Sequence, residues 1–122
     1  MGAGELELAT RFRRDLEEAA KTGGWTGVCP CLAPDIEWTT PKRTLRGIDQ
    51  VEHDLIWGSP PELLDLEFEV CDWVELGEGR LAAGVREIYR MKGSGAFAYE
   101  RDRRIEITIR EGTITRYEMR VV

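Results

Sequence analysis

The chain has 122 residues, 42% of them apolar and 33% charged, with 17 basic and 23 acidic side chains that leave a net charge of −6. That is enough chain for one domain with its own core and no disulfide or metal staples. No stretch approaches the roughly 20 uninterrupted apolar residues of a membrane span, and the acidic opening Met1-Gly2-Ala3-Gly4-Glu5 does not read as a signal peptide, so a cytoplasmic location without membrane binding is expected.

From Glu5 to Lys21, Leu8, Phe12, Leu16 and Ala19/Ala20 recur at helical spacing, with charges on the other faces. Thr22-Gly23-Gly24 stops this helix. A second, short helical turn is expected over Thr26–Leu32, before Pro34-Asp35 redirects the chain. Ile36–Thr40 is β-branched and aromatic, and its alternation puts Ile36, Trp38 and Thr40 on one face of a first strand. Pro41–Gly47 is a polar, basic connection. Ile48–Trp57 returns to helical periodicity through Ile48, Val51, Leu55 and Ile56, and Gly58-Ser59-Pro60-Pro61 ends it.

After Leu63 everything reads as strand. Leu66, Phe68 and Val70 alternate with Glu67, Glu69 and Cys71, as in a sheet with one buried face. Gly77-Glu78-Gly79, Gly93-Ser94-Gly95 and Glu111-Gly112 are turn chemistry at hairpin spacing. Four antiparallel strands are predicted over 64–76, 80–92, 96–110 and 113–121. Helices first and strands afterwards define an α+β domain, its antiparallel sheet packed on one face against three N-terminal helices.

Strand parity describes the inside. Leu81, Ala83, Val85, Glu87, Tyr89 and Met91 share the more apolar face of their strand, which places Glu87 among core-facing neighbours. A carboxylate is expensive there unless it is paired or has a raised pKa. If Lys92 pairs with Ala96 across the turn, Arg101 falls opposite Glu87; another loop register brings Arg103 instead. A three-residue loop with Gly112 left-handed sets Ile109 against Thr113, aligning Tyr117 with Ile105 and Met119 with Arg103. The inner surface then carries an apolar lining with a few convergent polar groups: Glu87, Tyr89, Tyr99, Tyr117 and Arg101 or Arg103. Such a mixture is usual for a small-molecule cavity. It also suits a cross-strand ion pair with a structural role alone.

The run Cys31-Leu32-Ala33-Pro34-Asp35-Ile36-Glu37-Trp38, in this order of elements, resembles the SnoaL-like group of the nuclear-transport-factor-two-like (NTF2-like) superfamily, which includes ketosteroid isomerase. Arg46-Gly47-Ile48-Asp49-Gln50-Val51 is similar to its arginine-glycine entry to the third helix, and Arg110-Glu111-Gly112-Thr113-Ile114 to its last turn. The resemblance spans nearly the whole chain. It implies a cone-like half-barrel with a pocket at the wide end, acid–base chemistry of the polyketide cyclase or isomerase kind, and often a homodimer through the outer sheet face.

Carried over residue by residue, the resemblance leaves known acid–base positions vacant. The isomerase general base falls at Thr40, its oxyanion-hole tyrosine near Leu16 and the accompanying acid near Ile105. The epoxide-hydrolysing relatives' aspartates are missing from the row Arg101, Arg103, Ile105. Glu87 does fall on a pocket-lining position, and Asp54 on the pocket side of the helix. The expected catalytic set is therefore Glu87, Arg101 and Arg103. Val85, Tyr89, Tyr99, Tyr117 and Met119 line the substrate, together with Trp38, Thr40 and Asp54.

The remaining candidates are weaker. His53 lies off the Ile48, Val51, Leu55 stripe and is expected in solvent. Cys29, Cys31 and Cys71 are too few for a secreted disulfide framework and are read as buried free thiols. Zinc would need Cys29-Pro30-Cys31 at a spacing shorter than usual. Phosphate-loop and nucleophile-elbow motifs are absent, so no cofactor or metal is expected. The 10 basic residues among 17 in the chain that fall after Glu78 alternate with apolar ones instead of clustering, which argues against nucleic acid. A homodimer through Ala82, Gly84, Ile88 and Ala98 is expected. An enzyme acting through Glu87 and a non-catalytic ligand-binding or dimerisation module both remain open.

Overall fold

The computed structural model of the chain describes residues 2–22, 28, 30–57 and 64–122, and of 2, 3, 20, 22 and 54–57 the backbone alone. Gly2–Thr22 form one helix (α1) that buries Ala9, Phe12, Leu16 and Ala19 at the spacing read from the sequence. The helix expected over Thr26–Leu32 does not extend that far. Val28, Pro30 and Cys31 take 3-10 geometry and a strand begins at Leu32; residues 26, 27 and 29 lie outside the described set. Pro30 has no N–H to donate, which disfavours α-helical hydrogen bonding through the described stretch that follows. Among the described residues there are thus two α-helices, the other being Ile48–Trp57 (α2), and not three.

The strands are Leu32–Thr39 (β1), Thr44–Arg46 (β2), Leu64–Val70 (β3), Val74–Gly77 (β4), Arg80–Met91 (β5), Phe97–Arg110 (β6) and Thr113–Val121 (β7). They form one curved, unclosed sheet in the order β2-β1-β7-β6-β5-β3, with β4 also on β5. All neighbours are antiparallel except β1 and β7, which run parallel. β1 starts four residues before the expected Ile36. Pro34 is accommodated because the register with β7 shifts between Leu32 and Glu37. The stretch read as a connection, Pro41–Gly47, contains β2, which folds back on β1.

The strand expected over 64–76 is broken at Cys71-Asp72-Trp73. Trp73 Nε1 donates to the Ala9 carbonyl at 2.9 Å, and Arg13 donates to Asp72 at 3.3 Å. Both contacts tie the sheet edge to α1. Val70 N–H, which points away from β5, donates to Glu17 Oε2 at 3.0 Å, so a helix carboxylate satisfies an edge donor.

Two hairpins depart from the expected register. The β5–β6 turn closes with Met91 N–H on the Ala96 carbonyl, one residue earlier than Lys92, and a bulge then restores the pairing of Tyr89 with Tyr99 and Glu87 with Arg101. At β6–β7 the turn is the two residues Glu111 and Gly112, both at positive φ (52° and 78°), pairing Arg110 with Thr113. A second bulge follows, and Tyr117 stands opposite Ile107 and Met119 opposite Ile105, two residues from the expected partners.

The inner face behaves as its parity predicts. Leu81, Ala83, Val85, Glu87 and Tyr89 are buried; Met91, at the strand end, is exposed. The outer face differs from expectation. Ala82 and Ile88 are buried, so they present no apolar patch. The outer surface around them is laced with ion pairs, Arg86–Asp102 at 3.8 Å and Arg90–Glu67 at 3.3 Å among them. No helix among the described residues is long and apolar enough to cross a membrane.

Candidate functional site

The inner sheet face has two halves. Ile105, Ile107 and Ile109 of β6, with Leu81 and Ala83 of β5, join Phe12, Leu16 and Ala9 of α1 in one apolar core. Further along the same strands the inner row turns polar: Val85, Glu87 and Tyr89 of β5 stand opposite Arg103, Arg101 and Tyr99 of β6.

Among the described residues, Glu87 is the one charged residue that is buried, at 7% exposure. Its Oε1 accepts a hydrogen bond from Arg103 Nε at 3.1 Å and lies 3.7 Å from Arg101 Nε. Hence both arginines that the register argument treated as alternatives reach it, the directly opposite one and its diagonal neighbour. The Arg103 side chain is largely covered, at 13% exposure, whereas that of Arg101 is 47% exposed. The burial of a carboxylate is compensated by a charge-assisted pair.

Arg101 also donates through Nη2 to the Tyr89 hydroxyl at 2.8 Å, with its guanidinium carbon 5.2 Å from the centre of the Tyr89 ring. Tyr89 and Tyr99 stack at 4.5 Å with their planes 17° apart. Burial pushes the Tyr89 hydroxyl pKa up, and the Glu87 charge adds to this, with the Arg101 hydrogen bond opposing. Tyr89 therefore stays a neutral hydroxyl. The hydrogen bond with Tyr89 holds Arg101 protonated above its already high ordinary range, with a smaller push from Glu87.

Other expected lining residues separate from this cluster. Trp38 stacks on Tyr117 at 3.7 Å and Phe12 meets the same ring edge-on at 6.0 Å, so Trp38 and Tyr117 are core and not free lining. The Tyr117 hydroxyl is pushed far above its usual range by burial and then by the charge of Glu87. Met119 is half-buried against the core. Thr40 sits in the turn after β1, its backbone N–H on the Arg43 carbonyl at 2.9 Å. The side chain of Asp54, like Trp25, Cys29 and residues 58–63, lies outside the described set. His53 is exposed as expected. Cys31 is buried, but Cys71 is exposed, contrary to the expectation of buried thiols.

Two aromatic residues near this cluster were not among the predicted site residues, and the first of them shares its face. Phe68 of β3 pairs with Glu87 and is half-buried; Phe97, 57% exposed at the start of β6, pairs with Arg90 beyond the bulge and so belongs to the outer face. The alternation of Leu66, Phe68 and Val70 carried the signal for the first.

No protein-family model and no curated protein matches the chain. Solved structures do. An NTF2-like protein from Anabaena variabilis superposes with a TM-score of 0.79 at 13% identity, over 98% of this chain and 90% of that one. A Catenulispora acidiphila protein with a ketosteroid isomerase-like fold, in complex with trimethylamine, gives 0.70 at 11% identity over 88% and 82%. TerC co-crystallised with polyporic acid gives 0.74 at 18% identity over 98% and 92%. The chain thus has the NTF2-like, ketosteroid isomerase-like fold. At these identities the likeness defines architecture and not chemistry.

Proposed function

We propose that the protein holds a small, largely apolar molecule against the polar half of the inner sheet face and performs acid–base chemistry on it, as SnoaL-like cyclases and isomerases do. The observation that carries this reading is the buried Glu87 held by Arg101 and Arg103 beside the exposed ring of Tyr99, on an otherwise apolar face. Both guanidiniums address Oε1, which leaves Oε2 for proton transfer. Arg101 and the neutral Tyr89 hydroxyl are the groups to steady negative charge developing on a bound oxygen. The small molecules carried by fold neighbours, trimethylamine and polyporic acid, support a ligand of this size.

A non-catalytic binding or dimerisation module is the second reading. Its support is that the isomerase acid–base positions hold Thr40, Leu16 and Ile105, the last two sealed in the core. Both readings include the homodimer through the outer sheet face that the resemblance implies, across a surface whose ion pairs, such as Arg86–Asp102 and Arg90–Glu67, are made within one chain. Light scattering tests that part, and a monomeric mass at micromolar concentration removes it.

The experiment is native mass spectrometry of the purified protein, followed by titration with the neutral dye N-phenyl-1-naphthylamine. Saturable dye binding at one site, weakened by Tyr99→Ala, is expected; its absence refutes the binding site. If the co-purified molecule is turned over, Glu87→Gln abolishes turnover in the enzyme reading. In the module reading there is no turnover, and Glu87→Gln leaves affinity intact.

A further inference from the structure

We infer that the ligand of this site is a planar aromatic acid, whose carboxylate or acidic hydroxyl engages the exposed edge of the Arg101 guanidinium while its ring lies along the Tyr99 surface. The inference rests on the binding site proposed above and names the class of its ligand. Charge balance is the first argument. The polar half of the inner face carries one carboxylate, Glu87, against two guanidiniums, Arg101 and Arg103. The other acids of these two strand segments, Glu100 and Asp102, lie on the opposite face by parity, and Asp102 is 3.8 Å from Arg86 there. Among the described residues, one positive charge of this cluster is left without a carboxylate.

The surplus is accessible. Arg103 is largely covered and directed at Glu87, whereas the Arg101 side chain is 47% exposed and makes one hydrogen bond among the described residues, to the neutral Tyr89 hydroxyl. A guanidinium presents five N–H donors in a flat fork that matches a carboxylate. The fork here is pre-set by a 5.2 Å stand-off from the Tyr89 ring and by the 3.7 Å ion pair to Glu87, so little rotamer freedom remains to be lost on binding. Beside it, Tyr99 at 42% exposure offers aromatic surface on the same inner row, opposite Tyr89. A flat ring with one acidic oxygen at its edge satisfies both features together.

The test compares 2-naphthoate with its neutral isostere 2-naphthamide by calorimetry on the full chain. Naphthoate should bind roughly tenfold or more tightly, the scale of a charge-assisted hydrogen bond. Its advantage should shrink as salt rises. Arg101→Gln should erase that preference while leaving naphthamide affinity unchanged. Arg86→Gln, the same charge change on the outer face, should leave the preference intact, and circular dichroism checks that both variants fold. Equal affinities, or a preference that survives Arg101→Gln or is lost equally in Arg86→Gln, overturn the inference. Binding of the neutral dye without naphthoate preference refutes only the ligand class; absence of all three ligands from the site refutes the site itself.

Discussion

Glu87 stands opposite Arg101 in the β5–β6 ladder but makes its shorter contact, 3.1 Å, diagonally with Arg103, whose direct partner is Val85. The two arginines thereby acquire different roles. The largely covered Arg103 neutralises the carboxylate; the half-exposed Arg101 spans carboxylate, tyrosine and solvent.

That division predicts unequal stability costs. Arg103→Met should cost about 2–3 kcal/mol, because it leaves a buried carboxylate with only a partly exposed partner. Arg101→Gln should cost under about 1 kcal/mol after solvent screening of an exposed group. Glu87→Leu combined with Arg103→Met should recover most of the loss. Urea unfolding of the four proteins checks this, and equal costs for the two arginines would contradict it.

The tyrosines predict the alkaline limit. Tyr89 and Tyr117 both have hydroxyl pKa values raised in the folded state, chiefly by burial. The unfolded chain ionises its tyrosines near pH 10. Their contribution to stability is therefore full below that pH and is lost as pH rises from there through the folded-state values. Tyr117→Phe should flatten the fall in stability above about pH 10. Unfolding midpoints between pH 8 and pH 11 measure it, and an unchanged slope would refute the buried-hydroxyl account.

The thiols should separate kinetically. Burial, and less so Asp15, pushes the Cys31 thiol pKa up despite Arg11, while Cys71 is exposed. Iodoacetamide followed by peptide mass spectrometry should label Cys71 at least about tenfold faster than Cys31. Comparable rates would mean that Cys31 is not sealed under α1.

Turn chemistry gives a further contrast. A Cβ on Gly79 would sit 2.4 Å from the Ile109 carbonyl oxygen at a φ of +76°, whereas Gly93, at +86°, has nothing within 4 Å. Gly93→Ala should cost about 1–2 kcal/mol for the left-handed backbone alone, and Gly79→Ala clearly more, because backbone must shift as well. Thermal unfolding ranks them, and the reverse order would contradict the β4–β5 geometry.

Much of this was legible in the residues, and the misses have physical causes. The side-chain period of two placed Val85, Glu87 and Tyr89 on the inner face without knowledge of any turn. The pairing of Glu87 with Arg101 is right although the turn closes one residue early, since a bulge returns the lost residue. In the β6–β7 hairpin a shorter turn and a bulge both act in the same direction, so Tyr117 meets Ile107 instead of Ile105. Two one-residue shifts preserve parity, which is why the inward set survived an incorrect register. Bulges leave little trace in a single sequence, and the stacking of Trp38 on Tyr117 depends on the parallel β1–β7 pairing, to which no local pattern points. Phe68 was read as an inward residue but not placed beside Glu87, because the strand breaks at Cys71-Asp72-Trp73 between the hairpin turn and β3.

The central claim is that a small aromatic molecule binds on the polar half of the inner sheet face. Titrating 2-naphthoate into isotope-labelled protein and following backbone amide shifts tests it most directly. The account predicts saturable shifts concentrated at Val85–Tyr89 and Tyr99–Arg103. Shifts confined to the outer face around Arg80, Glu106 and Arg116, or none at millimolar ligand, would contradict it.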